Sequence, residues 1–185
     1  MESPQVRTST SLAYEICAVV VLWVALFEFN SWLFSAVEVS RYINWIFLPA
    51  ALRVVAVLVL DWRGVAGLFA GALFTCAPQV GVNMAEALVL ASLSALAPFA
   101  AVSLVKRCLR MARDLKGMTY QQLTVIAVVA ALTSAVAHNI FFSLQHASHA
   151  WSSVFFPMLA GDLIGTLVVL FTSALVLRAL PNIAK

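Results

Sequence analysis

Two long stretches without a charged residue constrain the fold of this chain more than any other feature. Residues 64–84 and 87–105 contain no Asp, Glu, Lys or Arg. At about 1.5 Å per residue, a helix of about 20 apolar residues crosses the ~30 Å hydrocarbon core of a bilayer. With 63% hydrophobic and 10% charged residues in 185, a soluble chain would have to expose apolar surface on all sides. The sequence therefore predicts an all-α, polytopic membrane helical bundle.

Six segments are long and apolar enough to span, and they form a single integral membrane domain over residues 1–185. We expect transmembrane helices at about 14–36, 43–61, 64–82, 84–105, 120–143 and 154–177. The second is short and contains Pro49 and Arg53; if it did not span, every later helix would be inverted. The first apolar run continues beyond residue 27 without a cleavage-site pattern, so we expect an uncleaved first span.

The basic residues predict the orientation of these helices. With the N-terminus inside, the cytoplasmic side receives Arg7, Arg63, Lys106, Arg107, Arg110, Arg113, Lys116, Arg178 and Lys185. Only Arg41 falls outside, and Arg53 lies within the membrane. This bias follows the positive-inside rule and predicts that both termini are cytoplasmic. Because the charges lie in short gaps between apolar runs, they favour the lipid bilayer as partner and exclude nucleic acid.

Four ionisable residues inside the predicted helices are the candidates for a site. A charge in hydrocarbon is costly and usually faces a partner group or a wet cavity. Glu28, Arg53, His138 and Asp162 come from four different helices, and all lie about 7–15 Å below the predicted outer surface. Asn139 lies near the same level. We therefore predict that these five residues bind a small-molecule ligand, with Arg53 as the fixed charge and His138 as a protonation-sensitive member.

An alternative interpretation needs no ligand. Arg53 and Asp162, or Arg53 and Glu28, would form a buried pair that only fixes the register of the helices. Desolvation offsets much of the attraction in such a pair, so its presence alone is weak evidence of a stabilising role.

The sequence predicts neither catalysis nor a metal or cofactor. It contains no GxSxG elbow, no HExxH and no phosphate-binding loop, and its three cysteines have no CxxC spacing. His146 and His149 follow His138, but three imidazoles on one continuous helix would need unusual geometry to hold a metal. We interpret them as part of a polar external loop. The basic segment 106–119 is either a topology-setting loop or an amphipathic helix on the inner leaflet.

Glycines at GxxxG spacing mark two helices that can approach a neighbour closely. Gly67 and Gly71 lie in the third predicted helix, and Gly161 and Gly165 in the sixth, where Asp162 follows the first glycine. In lipid, this spacing lets backbones come close enough for van der Waals packing to drive association.

Two stretches, NWIFLPAALRVVAVLVLDWRGVAGLFAGALF at 44–74 and GDLIGTLVVLFTSALVL at 161–177, resemble the MASE-type membrane-associated sensor domains of bacterial histidine kinases and diguanylate cyclases. The shared pattern is an aromatic-Pro-small helix start, a basic turn, a Gly-rich helix and a closing Gly-Asp-x-x-Gly. The matching positions are Pro49, Ala50, Arg63, Gly64, Gly71, Gly161, Asp162 and Gly165. The chain is shorter than those domains and has no kinase or cyclase output, so the resemblance implies a stand-alone sensor that signals through another protein.

Three functions follow as hypotheses. The first is a sensor that binds a ligand, or a partner's transmembrane segment, through the polar cluster and relays this to a membrane-protein partner or a homo-oligomer. The second is the substrate-binding component of an energy-coupling-factor transporter, which is similar in length, helix number and topology. The third is a structural or accessory subunit of a membrane complex, in which the charges only pair between helices.

Overall fold

Six α-helices and one short two-stranded ribbon form the described part of the chain. The computed structural model describes residues 9–40, 43–77, 83–111, 118–145 and 151–179. The helices are α1 (Ser9–Phe34), α2 (Pro49–Leu60), α3 (Trp62–Cys76), α4 (Met84–Cys108), α5 (Tyr120–Gln145) and α6 (Trp151–Ala179). A 3₁₀ turn (Ser35–Val37) and an antiparallel ribbon of β1 (Glu38–Ser40) and β2 (Ile43–Asn44) connect α1 to α2. The predicted all-α bundle of six helices is confirmed.

Only four of the six helices are long and apolar enough to cross a membrane alone. These are α1, α4, α5 and α6, with candidate spans of 20 to 26 residues. By contrast, α2 has 12 residues and α3 has 15, which gives lengths of about 18 and 22 Å. The prediction of helix from residue 43 is wrong for 43–48, which form β2 and an irregular connection before Pro49 starts α2. Proline suits a first helical turn, since its missing N–H would be unpaired there anyway.

The short helix α2 lies in the interior of the bundle. Nine of its 12 residues are buried, and it contacts all five other helices. Because protein covers most of α2 and only Val55 and Val59 are exposed, α2 does not need the length of a lipid-facing span. It ends at Asp61, whose φ of 53° turns the chain directly into α3. Gly64 then lets α3 approach α2, since a Cβ there would overlap the Ala56 carbonyl.

Contacts between helices establish their relative directions. Near the start of α1, Glu15 Oε2 accepts from Arg63 Nη1 near the start of α3, at 2.7 Å. Further along, Gly67 and Gly71 of α3 face Val19 and Trp23 of α1, so these two helices run parallel. At the other end of the bundle, α6 passes Asn44 at Gly161 and Phe47 at Gly165. Helix α6 is therefore parallel to α2 and antiparallel to α1, with the ribbon at the end of the bundle where α1 finishes.

Side-chain caps define the starts of α4 and α5. The Asn83 side chain accepts from the Glu86 amide at 2.8 Å, and Thr119 and Gln122 exchange two hydrogen bonds of 2.9 and 3.2 Å, which form a capping box. Helix α4 includes the first residues of the predicted basic segment and ends at Cys108. The rest of that segment from residue 112 to 117, and His146 and His149, lie outside the described residues.

Candidate functional site

The guanidinium of Arg53 lies at the centre of the bundle, where four parts of the chain meet. Arg53 is on α2 and is 5% exposed. Its Nη1 donates to Ser134 Oγ on α5 at 3.0 Å and to Asp162 Oδ2 on α6 at 3.2 Å. The rings of Trp23 on α1 and Phe47 before α2 lie 5.4 and 4.8 Å from Cζ, within the range of cation–π contact. One buried charge therefore connects α1, α2, α5 and α6.

The coordination of this charge is incomplete. Both Arg53 and Asp162 are nearly inaccessible, so their attraction is offset by the cost of removing two charges from water. A guanidinium has five N–H donors, yet the contacts to Ser134 and Asp162 both use Nη1. Within the described part of the chain, Nε of Arg53 is buried without a hydrogen-bond partner, as is Oδ1 of Asn44.

Three small cavities adjoin the guanidinium within the described part of the chain. One of about 10 Å³ is lined by Arg53, Ser134, Asp162 and Thr166 among others. A second, also of about 10 Å³, is lined by Arg53, Asn44, Asp162 and their apolar neighbours, and it therefore adjoins both residues that carry a buried polar atom without a partner at this site. Such a volume holds about one water-sized group. The third, of about 30 Å³, lies between Arg53 and His138. Each cavity in its present form is far below the roughly 300 Å³ of a typical organic-ligand pocket.

His138 contributes an acceptor to the larger cavity. The residue is 4% exposed, and its Nδ1 lies 2.9 Å from the Ser134 carbonyl one turn earlier in α5. A carbonyl can only accept, so this contact requires the proton on Nδ1 and leaves Nε2 of the neutral ring as an acceptor. Ser134 thereby orients two members of the site, because its hydroxyl accepts from Arg53 and its carbonyl accepts from His138.

The site is covered by residues 43–48, which we call the cover segment. Its Phe47 amide donates to the Gly161 carbonyl at 3.0 Å, and its Leu48 amide donates to the buried Asn30 Oδ1 on α1 at 2.8 Å. A Cβ at Gly161 or Gly165 would overlap a backbone carbonyl of this segment. The glycines of the Gly-Asp-x-x-Gly motif therefore let α6 lie directly against the cover segment, with Asp162 beneath it.

The structure brings together three of the five predicted ligand-binding residues. Arg53 and Asp162 pair directly, and His138 shares a cavity wall with Arg53. Asn139 is buried at 2% exposure, but its amide donates to the Ala135 carbonyl of its own helix at 2.8 Å. Glu28 is exposed on α1, so the expectation that it joins the cluster is wrong. Residues two positions apart on a helix point in directions that differ by about 200°. Asn30, two positions after Glu28, faces the interior.

Sequence reasoning missed several residues of the site. Ser134 precedes His138 by four positions, which places both on one face of a helix, and this spacing was a usable signal. Trp23 lies mid-span, away from the headgroup level that Trp prefers, which also suggested a buried role; its Nε1 donates to Thr75 Oγ1 at 3.1 Å. Nothing in the sequence indicated Phe47 or Asn44, since their position depends on the contact between the cover segment and α6.

No protein-family model, curated protein or solved structure matches this chain. Its function is therefore inferred from the geometry of the Arg53 site together with the membrane character of the four long helices.

Proposed function

We propose that this protein is a small sensor of the bacterial inner membrane, with both termini cytoplasmic, that binds a small anionic group at Arg53 and relays its presence to a membrane-protein partner. The observation that carries the proposal is the guanidinium itself. It is buried, it donates to its protein partners through Nη1, and its Nε faces no partner among the described residues. An anion beside Arg53 would compete with Asp162 for the positive charge and use the unpaired donor.

The closed form of the site explains how binding would be relayed. Cavities of about 10 and 30 Å³ admit little more than water, so a larger anion must displace part of the lining. The cover segment is the part with least helical support, and it contributes Phe47 and Asn44 to the lining. A ligand that binds only the open form shifts the population toward it. Occupancy would then change the contacts of the cover segment with α1 and α6.

The small volume also discriminates among the earlier hypotheses. A transporter component that binds a vitamin must enclose an organic molecule, whereas the cavities at Arg53 are at least tenfold smaller than such pockets. The resemblance to MASE-type sensor domains supports the sensor interpretation, since Gly161 and Gly165 of the shared motif lie against the cover segment and Asp162 pairs with Arg53. A purely structural pair remains the competing explanation, and the experiment below separates the two.

The test compares the wild-type chain with a variant in which the pair is replaced by apolar residues, Arg53→Met/Asp162→Leu. Removing both charges avoids the unpaired buried charge that a single substitution would leave. Purified full-length protein in detergent is melted with formate, acetate or nitrate as probes, at ionic strength held constant with gluconate. Arg63→Gln is the matched control, because it removes a partly buried pair with Glu15 outside the site.

Under the proposal, at least one probe raises the melting temperature of the wild type and of Arg63→Gln, and the rise follows a single Kd as the probe concentration increases. The same probe does not change the melting temperature of the double variant. Native mass spectrometry of gently solubilised wild type should show the same anion bound. Equal stabilisation of all three proteins would place the anion elsewhere. The absence of both stabilisation and bound mass in the wild type would leave the pair with a structural role only.

A further inference from the structure

An acidic side chain faces outward from the first helix, on the side away from the Arg53 site. Glu28 is exposed and lies six residues before the end of α1 at Phe34, about 9 Å along the axis. One turn later, Trp32 is 74% exposed, and exposed Trp residues favour the headgroup level. Glu28 therefore lies below that level, at the edge of the hydrocarbon.

The outward face of α1 is unusually bare for a helix in a bundle. Only 11% of its span is buried, against 50% in α4 and in α5. The exposed residues recur at the spacing of a helix-packing face: Ala18, Val21, Leu22, Ala25, Glu28, Phe29 and Trp32. Intervals of three, four and seven residues keep such a set on one side of a helix. The face combines small, branched and aromatic side chains around a single carboxylate.

A carboxylate directed at lipid is costly unless it meets a cation. Among the described residues, Glu28 forms no ion pair; the pair that α1 does form, between Glu15 and Arg63, lies near the opposite end of the helix. In the part of the chain that the structure describes, a second copy offers no cation at this level, because Arg53 is 5% exposed and already paired with Asp162 and Arg63 lies near the opposite end of α1. Two copies packed through this face would instead bring two carboxylates together.

We propose that the outward face of α1 docks a transmembrane helix of a different protein that carries Lys or Arg at the level of Glu28. The charge complementarity identifies the occupant, and the heptad-spaced apolar residues provide its packing surface. This inference does not rest on the proposed anion site, because Glu28 and Arg53 lie on opposite sides of α1.

The test uses the full-length chain reconstituted in phosphatidylcholine vesicles and a synthetic transmembrane peptide as probe. The peptide is a Leu/Ala helix of about 24 residues with one Lys about 9 Å from the end that matches the Trp32 end of α1, and it carries a dabsyl quencher at that end. A second peptide has Gln in place of Lys. Quenching of tryptophan fluorescence is titrated against the ratio of peptide to lipid. Trp32 is exposed on the docking face, and because the chain has five Trp residues, only the quenching that is lost in a Trp32→Phe variant is assigned to that face.

The expected result is at least tenfold tighter binding of the Lys peptide than of the Gln peptide to wild-type protein. Glu28→Gln should abolish that preference without lowering the melting temperature, because the side chain is exposed. Glu38→Gln, which removes an exposed carboxylate on β1, should keep the preference. Equal binding of the two peptides, or a preference that survives Glu28→Gln, overturns the proposal. So does self-association that depends on Glu28, observed by single-molecule photobleaching without peptide, because the occupant would then be a second copy.

Discussion

Adding one methyl group at Gly165 should disrupt the cover segment while leaving the helices themselves intact. A Cβ at this position would overlap the Phe47 carbonyl, so backbone would have to move by more than the few tenths of an ångström that packing normally absorbs. Overpacking of this kind costs about 1–3 kcal/mol, and loss of the adjacent Phe47–Gly161 hydrogen bond adds about 1 kcal/mol. Alanine regains about 1 kcal/mol of helix propensity over glycine. We therefore expect Gly165→Ala to lower the free energy of unfolding by about 1–3 kcal/mol, the net of these terms.

Gly71→Ala is the matched control, because its new Cβ would meet a side chain and not the backbone. The nearest atoms are Cβ, Cγ and Cδ1 of Trp23, at 2.9 to 3.0 Å, and a separation of a few tenths of an ångström between α1 and α3 relieves contacts of this length. Its smaller strain is offset by the same gain in helix propensity, so we expect a change of less than about 1 kcal/mol.

Thermal unfolding in detergent, followed with a thiol-reactive dye, measures both variants. Cys76 is buried, whereas Cys17 and Cys108 are exposed, so a Cys17→Ser/Cys108→Ser background makes Cys76 the reporter of unfolding. For a chain of this size, about 1 kcal/mol corresponds to about 2–4 °C, which predicts that the melting temperature of Gly165→Ala falls by about 2–12 °C. If both variants melted together, α6 would not lie against the cover segment, and the basis assigned to the glycine motif would be refuted.

Two further variants test the contacts at Arg53. Arg53→Met alone should lower the free energy of unfolding by about 3–5 kcal/mol, because Asp162 remains as an unpaired buried charge. Adding Asp162→Leu should recover most of that loss. A double-mutant cycle in chemical denaturation measures the coupling, and a double variant no more stable than Arg53→Met would contradict the prediction. Asn30→Ala leaves the buried Leu48 amide unpaired and should lower the free energy of unfolding by about 1–3 kcal/mol. Hydrogen exchange in residues 43–48 should become faster. The control Ser92→Ala, on the exposed side of α4, should change the free energy of unfolding by less than about 0.5 kcal/mol.

The starts of the lipid-facing helices α4 and α5 could be predicted from the sequence, whereas the start of the interior helix α2 could not. Helices α4 and α5 begin at the predicted residues 84 and 120, because charged and capping residues interrupt the apolar runs there. The start of α2 was missed by six residues, since a short apolar segment can be helical or extended, and hydropathy does not distinguish the two. Pro49 was the local signal for the true start.

The site was predictable to the extent that its residues are ionisable and near the middle of a span. Arg53, His138 and Asp162 satisfy both conditions and meet in the structure. Glu28 satisfies them too and faces outward, because depth gives a level along a helix axis but no direction around it. In α1 the direction is given by residues that must be buried for other reasons, such as Trp23 with its bond to Thr75 and Asn30 with its bond to Leu48.

The two proposed sites act on the same seven or eight residues of α1, and this predicts that they are coupled. Trp23 lies against the guanidinium and Asn30 holds the cover segment, while Glu28 on the other side of the same turns faces the docked helix. A partner that shifts or rotates this part of α1 would change the contacts that close the Arg53 site. Linkage then requires that the anion change the affinity for the Lys peptide by the same factor by which the peptide changes the affinity for the anion. Peptide titrations with and without the stabilising anion, and anion titrations with and without peptide, measure the two factors. Agreement of the two factors shows that both titrations were at equilibrium. A common factor equal to one would show that α1 carries no signal between the sites.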